Sequence, residues 1–448
     1  MNTRQTLAAQ CQAPDFLFEN IGSHGDVMPL VAIAAELVRR GHRCQLLANE
    51  HFRTEATARG IGFFPSTPAR THGEIQAEIQ SKHTVPYLFL KTDSIREYFE
   101  QPGAFDERTV MVHTNAYGGS DPLAEAHRLR TVELLLFPIR IRSAIAPAWP
   151  LGAQACGPHG EQLLKALPAL YRAADRHPVV LEKINSVRVP LGLPPVNCAL
   201  YERPHVVAKA AMFPDWFGMP AADWPELECL GFPLPASDAR LPFPVLAFLQ
   251  RRPRPIVFTT GTGFGSPEIF FKAAAACCAE LDLPGIFLSP FLKTEPGALG
   301  DRVACFDHVE LERLLPHVAA IVHHGGMGTT ARALEAGIPQ VITPTGFDQP
   351  DNGHRTEVLG VGRVVPRAQM SGATFAAALR EQLNDPEQPA RLARYRSAIE
   401  GSRAVERAAD LLQEIARESA NPIERCQGNV TRLRGSATQR ILSNPATG

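Results

Sequence analysis

One stretch, Ile321–Arg355 (IVHHGGMGTTARALEAGIPQVITPTGFDQPDNGHR), constrains this chain more than any other. It opens with an apolar run ending at Val322, passes through two histidines into a glycine-rich turn, and from Thr329 to Ala336 consists of good helix formers. Gly337 follows, where a helix C-terminus favours a residue tolerant of positive φ. Gln340–Thr343 is a second β-prone run, and Asp348-Gln349-Pro350 opens another helix. The order strand, loop, helix, strand, loop, helix puts both loops at the carboxyl ends of strands, where open α/β sheets bind ligands.

Gly325, Gly326 and Gly328 allow close backbone approach, and the amides of Gly328 and Thr329 emerge from a helix N-terminus. Unpaired N–H groups at the positive end of a helix suit a phosphate. His324 adds a donor and Thr329 a hydroxyl, so the loop reads as a diphosphate cradle that uses no metal. Spacing argues against the commoner phosphate loops: there is no G-x-x-x-x-G-K-[ST], and GTGFGS at Gly261–Ser266 is not G-x-G-x-x-G. Three plainer readings compete. His323-His324 is a potential metal pair, although no Cys or carboxylate lies nearby. The glycines suit an ordinary turn, and Asp348 suits a helix cap before Pro350.

The pattern HHGG-x-GTT…AGIPQ…P…DQP resembles the nucleotide-sugar motif of family 1 glycosyltransferases with the GT-B fold. The similarity is greatest to the branch of sterol and glycopeptide-antibiotic glucosyltransferases. It implies two Rossmann-like α/β domains with parallel sheets, facing across a cleft. It also implies that Asp348 and Gln349 contact sugar hydroxyls, while His324, Gly326, Gly328 and Thr329 hold the donor diphosphate. Ile256–Thr260 is a buried strand whose following loop, Gly261-Thr262-Gly263, matches the family's second phosphate contact, which brings in Thr262.

Near the amino end, Phe16–Asn20 breaks into Ile21–Pro29, after which Leu30, Ile33, Ala34 and Leu37 recur at helical spacing. Pro29 lies in the first helical turn, where its missing N–H costs nothing. The turn resembles the family's acceptor-side loop, which places Asp26 at the catalytic base and His24 two residues earlier. A hydroxyl attacking an anomeric carbon must lose a proton, and a positioned base is worth roughly 10²–10⁴-fold. The competing reading makes Asp26 an N-cap beside Pro29 and His24 a solvated loop residue. Asp121 is acidic in the region where relatives keep a partner for the base, but no motif assigns it.

Cys44–Ala48, Gly60–Ser66, Thr109–His113 and Glu133–Pro138 read as further strands, with a helix around Asp121–Leu129. Thr71–Gly103 is a polar insertion of the kind that covers an acceptor cleft. Helices follow at Gly160–Asp175 and Val180–Leu191. The aromatic and proline-rich Phe213–Pro235, with Glu182–Pro195, resembles the rhamnosyltransferases that complete rhamnolipids, which points to a hydrophobic acceptor. In the second half, Ile286–Leu288, Val303–Phe306, Ala319–Val322 and Arg363–Val365 complete the strands. The expected division is 1–14 a disordered extension, 15–234 the acceptor-binding domain and 235–244 a linker. Then come 245–388 as the nucleotide-sugar domain, 389–417 as a helical segment crossing back, and 418–448 as a disordered tail.

Two positions depart from the family. Where many relatives stack a Trp on uracil, this chain has His308-Val309; His308 stacks in its place and the Val309 backbone meets the base edge. Where plant members hold the ribose with Glu, it has Arg332. These leave UDP and dTDP equally open.

Formal charge is −1, from 45 basic and 46 acidic residues, so nothing electrostatic favours nucleic acid or an anionic membrane. Nine scattered cysteines without C-x-x-C imply reduced thiols and a cytoplasmic protein. No apolar run is long enough for a membrane helix. The expectation is an inverting hexosyltransferase without metal or other cofactor, moving sugar from a UDP- or dTDP-sugar to a hydroxyl of a hydrophobic acceptor. Its rivals are a nucleotide-sugar epimerase on the same fold and a non-catalytic partner protein.

Overall fold

A computed structural model describes residues 13–20, 22–67, 92–114, 120–149, 157, 159–201, 203–236, 239–261, 267–290, 292 and 300–418. Two sheets organise these residues. Most strands are short runs buried on both faces, as a parallel sheet sandwiched by helices requires.

The first sheet contains β1 (Phe16–Glu19), β2 (Cys44–Asn49), β3 (Gly62–Thr67), β4 (Val110–His113), β5 (Arg130–Leu135), β6 (Val206–Ala211) and β7 (Glu228–Cys229), in the order β3-β2-β1-β4-β5-β6-β7. The second contains β8 (Ile256–Thr259), β9 (Gly285–Leu288), β10 (Val303–Phe306), β11 (Ala320–His323), β12 (Gln340–Ile342) and β13 (Gly362–Val364), in the order β10-β9-β8-β11-β12-β13. The pairings β1/β2, β1/β4, β8/β9 and β8/β11 are parallel, as are the rest. In each sheet the strand order reverses beside its first strand, between β1 and β4 and between β8 and β11. At such a switch point the loops diverge to opposite faces and open a crevice. The segments that follow β1, β8 and β11 are the ones that carry Asp26, Gly261 and His324.

Four helices matter for the site: α1 (His24–Arg39), α2 (Met327–Ala336), α3 (Gln349–Val358) and α4 (Ala404–Arg417). α1 packs Val27, Leu30, Val31, Ile33, Ala34 and Leu37 onto the first sheet, and α4 adds Ala408, Ala409, Leu412 and Ile415 to the same core. The segment expected as one helical stretch from Pro389 is two helices. The first, Gln388–Glu400, packs against α2, and the chain turns at Arg403, whose φ is +47°, into α4. Arg40 fastens the crossing through Asp410 and Gln413.

The two units share a core. Phe213, Phe217 and Phe232 of the aromatic segment pack with Met327, Ala331 and Leu334 of α2 and with Leu392 and Ile399. The aromatics noticed in the sequence therefore bind the units together. β6 is a strand the sequence hides, since VVAKAA offers small residues and a lysine; pairing with β5 makes it one. Within the expected linker, Phe243 already begins a helix, Phe243–Arg251. Of the insertion Thr71–Gly103, residues 71–91 lie outside the described residues and Thr92–Phe99 is helical. The segments 1–12 and 419–448 also lie outside them, whereas the Pro14 carbonyl is placed, accepting a bond from Thr109 Oγ1 at 2.7 Å.

Candidate active site

The glycine-rich loop is built around two histidines with opposite tasks. His323, the last residue of β11, is fully buried. Its Nδ1 accepts from the Gly325 amide at 3.1 Å, and its Nε2 therefore donates to Gln340 Oε1 at 2.9 Å. Burial pushes its pKa down to about 3, so it stays neutral and braces the turn. This disposes of the paired-histidine metal reading: both ring nitrogens of His323 are engaged. His324 faces the other way. Its ring lies between Gly261 and Gly326, so that a Cβ on either glycine would overlap it. Gly261 also sits at φ +67°, which side chains resist. Among the described residues the buried His324 Nδ1 atom has no hydrogen-bond partner, and burial lowers the ring's pKa to about 4. In the tautomer that carries its hydrogen on Nδ1, this neutral imidazole donates to an acceptor placed there.

The loop leads into α2 two residues earlier than the helix formers suggest. Gly326 is the N-cap and Met327 the first helical residue, so the Met327, Gly328 and Thr329 amides occupy the turn that has no intrahelical acceptors. A Cβ at Gly328 would meet open space. Thr262 lies outside the described residues.

Asp348 occupies the N-cap position of α3, yet its side chain makes no cap bond there. Oδ2 instead accepts from Asn352 Nδ2 at 2.6 Å, and Asn352 also donates to the Gly325 carbonyl at 2.9 Å, tying the glycine loop to α3. Burial, then the nearby negative charge of Asp26, raises the Asp348 pKa to about 7; bonds from Asn352 and from the Met327 amide pull the other way. The carboxylate therefore sits at the N-terminus of α2, across from Asp26. Gln349 Oε1 accepts from Thr345 N and Oγ1, both at 2.8 Å, which leaves its amide hydrogens as the groups on offer. Phe347, just before them, is held at φ +58° with an exposed ring. A bulky residue there costs on the order of 1–3 kcal/mol.

On the facing unit, α1 begins at His24, with Ser23 as N-cap. Asp26 is thus the third helical residue and not the cap. Its Oδ2 accepts from Ser23 N at 2.7 Å and Ser23 Oγ at 2.8 Å, closing the first turn. Burial raises its pKa, opposed by the two Ser23 bonds and by the Arg140 charge. His24 turns aside, its ring edge-on to His51 and Phe52 with centroids 4.9 Å from each. Asp121 belongs to a separate buried cluster, bonded to His205 Nε2 at 3.0 Å and Tyr201 Oη at 3.1 Å. That engagement removes it as a partner for Asp26.

Of the remaining expected contacts, Val309 has its side chain buried in the second unit's core, leaving only its backbone for a ligand. His308 is three-quarters exposed, with Nε2 3.3 Å from Glu310 Oε1, which holds its pKa up. Arg332 is taken up by Glu335 at 2.6 Å and by the Pro235 carbonyl. The geometry thus brings together Asp26, Asp348, Gln349, His324 and the start of α2, with His308 at a distance along the same carboxyl edge. It adds Arg140 and Asn352, which the sequence reading missed. Asn352 follows DQP at helical spacing and was open to discovery; Arg140, at the end of a short turn after β5, carried no motif.

Residues 291–406 match the family described as Erythromycin biosynthesis protein CIII-like, C-terminal domain. The chain is 27% identical to the O-mycaminosyltylonolide 6-deoxyallosyltransferase of Streptomyces fradiae, over 88% of this chain and 96% of that protein. It is 26% identical to the sterol 3-beta-glucosyltransferase UGT80A2 of Arabidopsis thaliana, over 76% of this chain and 56% of that one. Among solved structures, the glycosyltransferase VinC in complex with DTDP superposes with a TM-score of 0.62 at 20% identity, covering 90% of this chain and all of VinC.

Proposed function

Taking the chain as the GT-B glycosyltransferase of family 1 type that its fold and relatives make it, we propose that it transfers a sugar from a nucleoside diphosphate to a hydroxyl of a hydrophobic acceptor, with inversion at the anomeric carbon. One observation carries this reading: the charge of Asp26, on one unit, reaches Asp348 on the other, beside the Gly328 and Thr329 amides of α2 and the His324 Nδ1 atom, which has no partner among the described residues. A diphosphate at the start of α2 would accept from the Gly328 and Thr329 amides and from neutral His324, the Met327 amide being bonded to Asp348. The sugar beyond it would lie against Asp348 and the Gln349 amide.

The acceptor hydroxyl would lie between the sugar and Asp26. As its oxygen bonds to the anomeric carbon, its proton passes to the Asp26 carboxylate. The glycosidic bond electrons leave with the nucleoside diphosphate, whose growing charge falls on the helix amides. Burial makes Asp26 a stronger base than a free aspartate, whose pKa is about 3.9. UDP and dTDP are the candidate carriers, and the dTDP held by VinC supports a nucleotide of that class. The macrolide-type and sterol-type relatives support a hydrophobic acceptor.

Thermal unfolding with UDP, dTDP, GDP and their sugars, each with Mg²⁺ or with EDTA, tests the donor half. At a hundred times its Kd the right nucleotide adds about 2.7 kcal/mol of stability. Protection should survive EDTA. Protection that requires Mg²⁺ would overturn the metal-free cradle, and no protection by any nucleotide would overturn the donor assignment.

A further inference from the structure

α3 begins at the proposed sugar contacts and then grips the opposite unit. Asp351, 1% exposed, is the centre of that grip. Its Oδ1 accepts from the Trp149 amide at 2.9 Å, and its Oδ2 from Arg355 Nε at 2.7 Å. Arg355 in turn donates through one terminal nitrogen to the carbonyls of Phe217, at 3.1 Å, and Gly218, at 2.6 Å. One residue before Arg355, the His354 ring lies flat on the Trp149 indole, with centroids 4.1 Å apart and planes 14° from parallel. Asp351, His354 and Arg355 share one face of α3 by their spacing of three and four. The partners on the other side, Trp149 and Phe217–Gly218, follow β5 and β6 of the first sheet.

The second unit holds α3 by different residues: Gly353 lies against Ile342 and Val364, and Asn352 binds the glycine loop. The grip is therefore not what keeps α3 on its own sheet. A buried carboxylate is costly unless paired, and a buried-side backbone N–H needs an acceptor; Asp351 answers both across the units. A helix is stiff over three residues, about 4.5 Å of rise, so the place of Asp351 fixes that of Asp348.

We infer that Asp351 is a positioning residue for transfer, acting with His354 on Trp149. It holds the sugar-contacting end of α3 in register with Asp26, and docking of the donor sugar is felt at Trp149. This rests on the reading that Asp348 and Gln349 meet the sugar.

The probes are UDP-glucose and dTDP-glucose against bare UDP and dTDP, each read by indole emission and by thermal shift. Trp149 shares the chain with only Trp216 and Trp224, so Trp149→Phe isolates its signal by difference. The nucleotide sugar that protects the wild type should change its emission more than the matching bare diphosphate does. Trp149→Phe should lose that change while binding the bare diphosphate equally well. Trp149→Ala, at a half-buried position, and Asp351→Asn should release nucleotide diphosphate from the sugar donor about tenfold more slowly. Their affinity for the bare diphosphate should stay within twofold, and Trp149→Phe, which can still stack on His354, should recover most of the rate. Wild-type rates in a folded Trp149→Ala, or equal emission changes with sugar-bearing and bare nucleotides, would overturn the clamp and leave the donor reading intact. Absence of any nucleotide protection in the wild type would remove both.

Discussion

Replacing Asp26 by Asn separates the base from the scaffold. Asp26 Oδ2 accepts two bonds from Ser23, at 2.7 and 2.8 Å, and the Asn carbonyl accepts the same two. Bonds to a charged acceptor are worth about 1.5–3 kcal/mol and neutral ones about 0.5–1.5, so Asn loses part of each. Against that, the variant no longer buries a charge in a place that raises the carboxyl pKa. The two effects oppose one another, and net stability near neutral pH should change by no more than about 1 kcal/mol.

Catalysis should not be spared. Asn cannot take the proton, so kcat should fall roughly 10²-fold or more, about 2.7 kcal/mol of barrier. A second consequence comes from the facing carboxylate. The Asp26 charge helps raise Asp348 to about 7, so its removal should move Asp348 downward and shift the Asp348-dependent limb of the pH–rate profile to lower pH. The stability sign follows from the raised Asp26 pKa: ionisation opposes folding, so stability present at low pH is lost as pH rises through the folded pKa. Asn lacks that loss, and the variant should gain on the wild type as pH rises above about 4. Nucleotide release across pH 5–9, with denaturant unfolding at three pH values, reads all of this. Activity within twofold of wild type would refute the base assignment. An unmoved pH limb would refute the coupling of the two carboxylates.

His324→Ala should weaken UDP or dTDP binding by about tenfold, measured by calorimetry, while acceptor affinity is kept. Gly326→Ala should do the same by displacing the imidazole that now touches Gly326, with the fold retained by circular dichroism. Asp348→Asn should reduce transfer and leave bare-diphosphate binding unchanged; full activity in this variant would return Asp348 to a purely structural part. His24→Ala should cost less activity than Asp26→Asn, since its ring packs on His51 and Phe52.

Much of this was legible in order along the chain. Runs such as Phe16–Glu19 and Ile256–Thr259 are apolar throughout because a parallel strand is buried on both faces, and that composition needs no partner to be recognised. The glycine-rich turn before α2 was equally plain, because Gly325 and Gly326 are required where His324, the Ile342 side chain and the Gln349 carbonyl crowd in. The resemblance carried by the same stretch announced the two-sheet fold. The competing reading of Asp26 as an N-cap fails by three residues, since Ser23, one turn earlier, holds that position.

What the sequence could not determine is whatever depends on two distant segments meeting. Asp26 and Asp348 lie more than three hundred residues apart, and the packing of the two units, with α2 against Phe213 and Phe217, brings their charges within reach. Tertiary contacts likewise give Trp149 its bond to Asp351 and place Asp121 in a cluster with His205, and pairing with β5 turns VVAKAA into a strand. Local composition sets which residues can form a strand, a turn or a helix end. Desolvation and charge–charge coupling are set by neighbours in space, and these decide which carboxylate has a raised pKa and which merely braces the fold.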